Sequence, residues 1–210
     1  IRDSTTRDRN RIAIQGDLLG GWALDIPNIL CLYGDEVKGG DQPETKEVRD
    51  LDTISLLKTA NDIKIDKAYP SGRKIVDAPE FFIGGADTPH KINENFDGAN
   101  LIKKINVGVQ FFQTQYAFDE NILRNYMLKL KQLGITEKAY FIIGLGVIKS
   151  AKSARWMNEN LFGINIPENI ISRIENSSNE KLEGIKICTE LIEKYKLIDG
   201  VSGVHLMGYK

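Results

Sequence analysis

Residues 97–119, DGANLIKKINVGVQFFQTQYAFD, decide the architecture because their apolar period changes midway. In the first half Leu101, Ile102 and Ile105 recur at helical spacing, and Asp97 stands where a side chain can cap the first turn. The second half, Val109 to Phe118, is short, aromatic and partly alternating, which predicts a buried strand. A helix that hands over directly to a strand is the joint of an α/β fold. The same stretch carries polar groups at odds with a plain core. Asp97, Asn100 and Lys104 fall on one helix face with Lys103 beside them, and Thr114 and Gln115 lie within the strand. Pattern alone leaves two readings open: a polar ligand site, or a solvated helix face followed by a hydrogen-bonded core glutamine.

Downstream, 120–134 predicts an amphipathic helix whose stripe is Leu123, Tyr126, Met127 and Leu130, with Gly134 closing it. AYFIIGLG at 139–146 is a strand running into glycines. Helices follow at 149–160, at 167–174 with Pro167 at or near its first position, and at 179–197. The last of these buries Ile185, Cys188, Leu191, Ile192 and Tyr195, and a final strand occupies 201–210. Upstream, NILCLYGD at 28–35 is a near-continuous apolar run closed by Gly-Asp. That pattern marks a parallel strand buried on both faces, with the Asp35 carboxylate at its C-terminal end. EFFIGGAD at 80–87 reads the same way. Helices are predicted at 8–24, weakened by three glycines, and at 51–60. The polar loop 38–47 is long enough to be functional, 62–79 is an irregular excursion, and 1–6 is at most the tail of a strand.

Five strands are thus expected, ending at Asp35, Asp87, Gln115 to Asp119, Gly146 and Tyr209. Their alternation with helices predicts a parallel α/β domain; five strands suffice for an open doubly wound sheet, whereas a barrel needs eight. Polar and glycine residues gather at the strand ends, where either architecture places its ligand face.

The 210 residues are enough for one domain spanning 1–210, and the formal net charge of -1 argues against a nucleic-acid or membrane-attracted surface. No run approaches the roughly 20 apolar residues of a membrane span, and no secretory leader is visible. Cys31 and Cys188 each sit in an apolar run, so both are expected to be reduced core residues and the compartment cytoplasmic. The usual zinc, Rossmann and P-loop spacings are missing, and no metal site is expected. His90 reads as a surface residue and His205 as a core histidine. Gly144 and Gly146 either relieve crowding or let a flat ring approach the backbone.

The stretches RDRNRIAIQGDLLG, LYGD followed by GGDQPE, SGR with PEFFIGGA, the 97–119 block, KSARWM and GVHLMGYK together resemble the methylenetetrahydrofolate reductase family, in order and over essentially the whole chain. The resemblance implies a flavin-containing (β/α)8 TIM barrel whose N-terminal strands are not in this chain, which would start near the end of the third. It implies reduction of 5,10-methylenetetrahydrofolate to 5-methyltetrahydrofolate, with electrons from NAD(P)H passing through FAD, or alternatively FMN. Carried over by resemblance, Asp35 is the catalytic carboxylate, tuning the flavin and binding the pterin, and Tyr33 and Gly34 line the flavin by main chain. Asp97, Asn100, Lys103 and Lys104 match its ribityl and phosphate contacts. Gln115 matches a residue touching pterin and nicotinamide in turn, and Lys210 stands where an arginine usually contacts folate. Three positions depart from well-known bacterial members: Tyr33 replaces an arginine, and Gly84 and Thr88 replace an aromatic residue and a histidine. These departures motivate an alternative, a folate- or flavin-binding subunit supplied with electrons by a partner protein. A homo-oligomer also fits the resemblance.

Overall fold

The computed structural model describes residues 1–208. Its elements run β1 (Arg2–Thr5), α1 (Arg11–Ala23), β2 (Asn28–Leu32), α2 (Thr53–Ile65), β3 (Phe82–Asp87), α3 (Ala99–Asn106), β4 (Phe111–Tyr116), α4 (Glu120–Gln132), β5 (Tyr140–Leu145), α5 (Ala151–Asn160), α6 (Glu168–Glu175), α7 (Glu180–Tyr195) and β6 (Val201–Leu206). Six strands alternating with helices make the α/β arrangement of a (β/α)8-type fold, with six strands among the described residues. Contacts divide the chain into two compact units, Ile1–Ala86 with Ala99–Phe111, and Asp87–Gly98 with Phe112 onward.

In the first unit the strand order is β1-β2-β3, all parallel, with Arg2 opposite Ile29 and Thr5 opposite Leu32, and Asn28 opposite Phe82. β2 repeats what its sequence promised: Ile29, Leu30 and Cys31 are buried, as befits a strand covered on both faces. Burial pushes the Cys31 thiol up to about 12. Each helix start has a visible cause. Asn10 accepts the Ala13 amide at 3.0 Å to open α1, and Asp52 and Ser55 form a reciprocal capping box that opens α2. Gln110 fastens the start of β3 to the end of α2: its side-chain oxygen accepts the Lys64 ammonium at 2.7 Å and the Ile83 amide at 3.3 Å.

In the second unit the order is β4-β5-β6, and β5 and β6 pair in parallel with a register shift beside Phe141. The predicted stripe of α4 is the core here. Leu123, Tyr126, Met127 and Leu130 are at most 1% exposed, each contributing roughly 1.5–3 kcal/mol relative to an exposed side chain. Phe112 stacks on Phe141 with centroids 5.1 Å apart. The Tyr126 hydroxyl donates to Asp87, both carboxylate oxygens lying at 3.0 Å, and His90 and Phe96 pack against its ring.

Several boundaries differ from the sequence reading. A sixth strand exists: β1 is short and polar (RDST), and pairing with β2 rather than apolar pattern makes it a strand. β2 stops at Leu32, three residues before Asp35, because the carbonyls beyond it are taken by arginine side chains instead of a ladder. α3 begins at Ala99, two residues after Asp97, with Gly98 between them at φ 69°. Pro167 opens α6 as its N-cap, beside the first helical position as expected. The excursion 62–79 begins with the last turn of α2 and then folds back as a tight loop, with Ala68 bridged to Lys74.

Candidate functional site

Asp35 sits three residues beyond the C-terminal end of β2, the end at which parallel α/β folds present ligand groups. Its carboxylate is exposed and accepts no hydrogen bond from any described residue, while its own backbone is held firmly. The Tyr33 carbonyl accepts from Thr6 Oγ1 and Arg49 Nη1, each at 3.0 Å, which uses both lone pairs. The Gly34 carbonyl accepts from Arg49 Nη1 at 3.3 Å and Nη2 at 3.2 Å. The Asp35 carbonyl accepts from Arg7 Nη1 at 3.2 Å and Arg49 Nη2 at 3.4 Å. Gly34 has φ 83°, and a β-carbon there would lie 3.0 Å from that of Arg7, so both conformation and space call for glycine.

The arginine that does most of this work is itself fixed. Arg49 Nε donates to Glu47, whose other oxygen accepts the Val37 amide at 2.9 Å, and the Arg49 guanidinium lies 3.9 Å from the centre of the Tyr33 ring. Glu47 is held below the usual carboxylate range by Arg49 first and the Val37 amide second. The Val48 amide donates to the Arg7 carbonyl and the Arg49 amide to that of Thr6, which lays 47–49 beside 6–7. None of Arg7, Glu47 or Arg49 stood out in the sequence. The only signal was the length of the polar loop leading to them.

On α3, Asn100 and Lys103 are exposed and Lys104 is half-buried, its ammonium donating to the Ala86 carbonyl of β3 at 2.7 Å. An amide and an ammonium side by side on a helix face are donors suited to hydroxyls and phosphate, which is the chemistry a flavin chain needs. Asp97 is exposed and belongs with Gln115 to the second unit. Gln115 is half-buried, and its side-chain oxygen accepts the Tyr116 amide at 3.0 Å, leaving its amide hydrogens as the donor it offers. Thr114 is a satisfied core hydroxyl: it accepts the Gly144 amide and donates to the Gln115 carbonyl, both at 2.9 Å. Lys210 lies outside the described residues. Of the predicted set, the first unit brings Tyr33, Gly34 and Asp35 into one arginine-clamped tip and places Asn100, Lys103 and Lys104 on α3.

A cavity of about 340 Å³ opens beside the end of β4, lined by His90, Tyr116, Phe118, Asp119 and Asn165 among others; Gln115 is not in its wall. His90 is exposed, as expected, and its Nδ1 lies 2.8 Å from the Thr88 carbonyl; His205 is half-buried on β6. Gly144 relieves crowding, since a β-carbon there would fall 2.4 Å from the Thr114 carbonyl. The three departures differ: Tyr33 is exposed, while Gly84 and Thr88 meet protein neighbours. Tyr33 lies under Arg49, the Phe111 ring occupies the place of a β-carbon at Gly84, and the Thr88 methyl closes on Gly163. Both cysteines are buried and free, and among the described residues no group of acidic, histidine or cysteine side chains could hold a metal. No helix of the described residues is long and apolar enough to cross a membrane.

Parallel strands with a carboxylate presented at a strand tip and cationic donors on a helix of the same unit define an α/β protein whose ligand groups lie at the strand ends. A family model described as methylenetetrahydrofolate reductase matches residues 1–210, and the chain belongs to that family of folate-related oxidoreductases. Members are generally flavin-dependent. Among solved structures, an uncharacterized protein from Clostridium thermocellum that binds two copies of 5-methyl-5,6,7,8-tetrahydrofolic acid aligns over 100% of this chain and 88% of its own. Identity in that alignment is 16% and the TM-score 0.45, a likeness too distant to bear on the site. No curated protein matches the chain.

Proposed function

We propose that this protein, as one domain over 1–210, reduces 5,10-methylenetetrahydrofolate to 5-methyltetrahydrofolate with electrons from NAD(P)H. The bound flavin, FAD or FMN, supplies the hydride-relay chemistry. The observation that carries the reading is the Asp35 carboxylate, exposed, without a hydrogen-bond donor among the described residues, and fixed by its backbone at a strand tip. Such a group pairs with the amino-pyrimidine donors of a pterin and opposes build-up of negative charge on a neighbouring reduced ring. Tyr33 and Gly34, their carbonyls already taken by Thr6 and Arg49, would line the flavin by main-chain van der Waals contact. Asp97, Asn100, Lys103 and Lys104 hold its hydroxyl and phosphate groups, and Gln115 and Lys210 meet the folate. The compartment is cytoplasmic, a reading supported by two free buried thiols.

Reconstitution tests this directly. Protein mixed with FAD or FMN and freed of excess ligand is expected to stay yellow and to oxidise NAD(P)H when methylenetetrahydrofolate is added. Protein that remains colourless after both treatments sinks the proposal. A second reading is favoured by Gly84, where the Phe111 ring takes the space of a β-carbon and leaves no side chain to reach a flavin. There the protein is a folate- and flavin-binding subunit fed by an electron-transfer partner. Rapid NADH oxidation with menadione as sole acceptor, without any partner, rejects that version.

A further inference from the structure

We propose that Arg49 is a positioning residue for folate recognition: its guanidinium sets the direction of the Asp35 carboxylate by gathering the three consecutive carbonyls of Tyr33, Gly34 and Asp35. The inference rests on the reading of Asp35 as the folate-facing carboxylate. Past Leu32 the chain leaves the β2 ladder, so these carbonyls need donors from elsewhere. Thr6 and Arg7 supply one each, and Arg49 supplies the rest: four contacts at 3.0–3.4 Å from its two terminal nitrogens. A planar fork spans successive carbonyls in this way; an ammonium of the same charge offers its three donors from one nitrogen and lacks that fixed spread.

Three further features mark a built clamp. The Arg49 side chain is only 15% exposed although it lies on a loop. Its backbone takes φ 41°, an uncommon value for a residue other than glycine, and that conformation is held by the amide bond to the Thr6 carbonyl. Glu47 closes the arrangement from the other side, binding Arg49 through one oxygen and the Val37 amide, two residues after Asp35, through the other. Asp35 is thereby bracketed between a gripped carbonyl series and a gripped amide, while its carboxylate is left for a ligand.

A double-mutant cycle in the flavin-loaded protein tests this, with Arg49→Lys and Asp35→Asn alone and together, read by calorimetric affinity for 5-methyltetrahydrofolate and by the split of KM and kcat. Arg49→Lys is expected to weaken folate binding about tenfold, the loss of one or two charge-assisted hydrogen bonds. It should act on KM for folate more than on kcat, and leave flavin absorbance in place. In the Asp35→Asn background it should add almost nothing, because the group it orients is already disabled. Effects that multiply independently in the double variant, or an Arg49→Lys protein that binds folate normally, overturn the inference. If Arg49→Lys does not fold, Glu47→Gln takes its place in the cycle with the same expected non-additivity. Normal folate binding by Asp35→Asn alone is a different failure, that of the proposed function itself.

Discussion

The tips of β2 and β4 carry comparable jobs and are built in opposite ways. At β4 most of the support comes from the neighbouring strand and the next few residues, with one distant side chain added, the Tyr195 hydroxyl on the Ala117 carbonyl. Thr114 bonds the neighbouring strand, Gln115 caps the very next amide, the Ala117 amide meets the Gly144 carbonyl at 2.9 Å, and Asp119 turns the corner by accepting the Asn121 and Ile122 amides that open α4. A ladder and a helix cap fix the backbone. At β2 the ladder stops early, and side chains from positions 6, 7 and 49 replace it. The lesson is that a strand tip held by its own ladder has little freedom to differ without unfolding. One held by distant side chains can be retuned by changing them.

That contrast is most exposed at Gly144. Gly144→Ala would press a methyl against the Thr114 and Gln115 carbonyls, 2.4 and 2.7 Å from the new carbon, and is expected to cost about 3 kcal/mol of stability, measured by urea unfolding. Next comes Asp35→Asn, which should lower kcat/KM for methylenetetrahydrofolate about 10–100-fold, as loss of a charged hydrogen-bonding group does, with the unfolding midpoint unmoved. A large stability loss there would erase the distinction between the two tips. Tyr195→Phe is expected to cost roughly 1–2 kcal/mol, because it strips the buried Ala117 carbonyl of its 2.7 Å partner at the β4 tip. Asp119→Ala should cost about 1 kcal/mol through loss of the α4 cap.

The smallest effect is a pH dependence in the first unit. The Arg11 side chain, then its amide, hold the Asp50 carboxyl down to about 2. A lowered value means that the pair stabilises the fold above the ordinary aspartate range and loses that contribution as pH falls through about 2. Thermal midpoints of the native protein and Asp50→Asn should therefore differ modestly near neutrality and converge at the acid end. A gap that persists there would mean that Asp50 acts through something other than its charge.

The contrast also explains what could be read from the sequence. α4 was legible because its stripe records its burial residue by residue, and β2 because a strand covered on both faces has an apolar run to show for it. Asp35 was legible as a carboxylate after such a run. The clamp was not: Arg49 reaches its partners across more than a dozen positions, and nothing in KEVRD signals which carbonyls an arginine will collect. β1 was legible only as the possible tail of a strand, since RDST becomes one through its neighbour. Thr114 was read as a possible ligand group because a buried hydroxyl and a ligand-facing one look alike until the Gly144 amide is placed beside it.

Four residues before Asp35, the Cys31 thiol is fully buried, and Cys188 is buried too; burial pushes both thiols up. Maleimides attack thiolates, so neither native sulfur will compete for such a reagent in the folded protein. A single cysteine introduced at exposed Lys38, on the short 3-10 turn just past Asp35, can then carry a fluorophore without prior removal of the natural pair. The chemistry of the β2 tip is in this way open to direct optical observation in an otherwise unaltered chain.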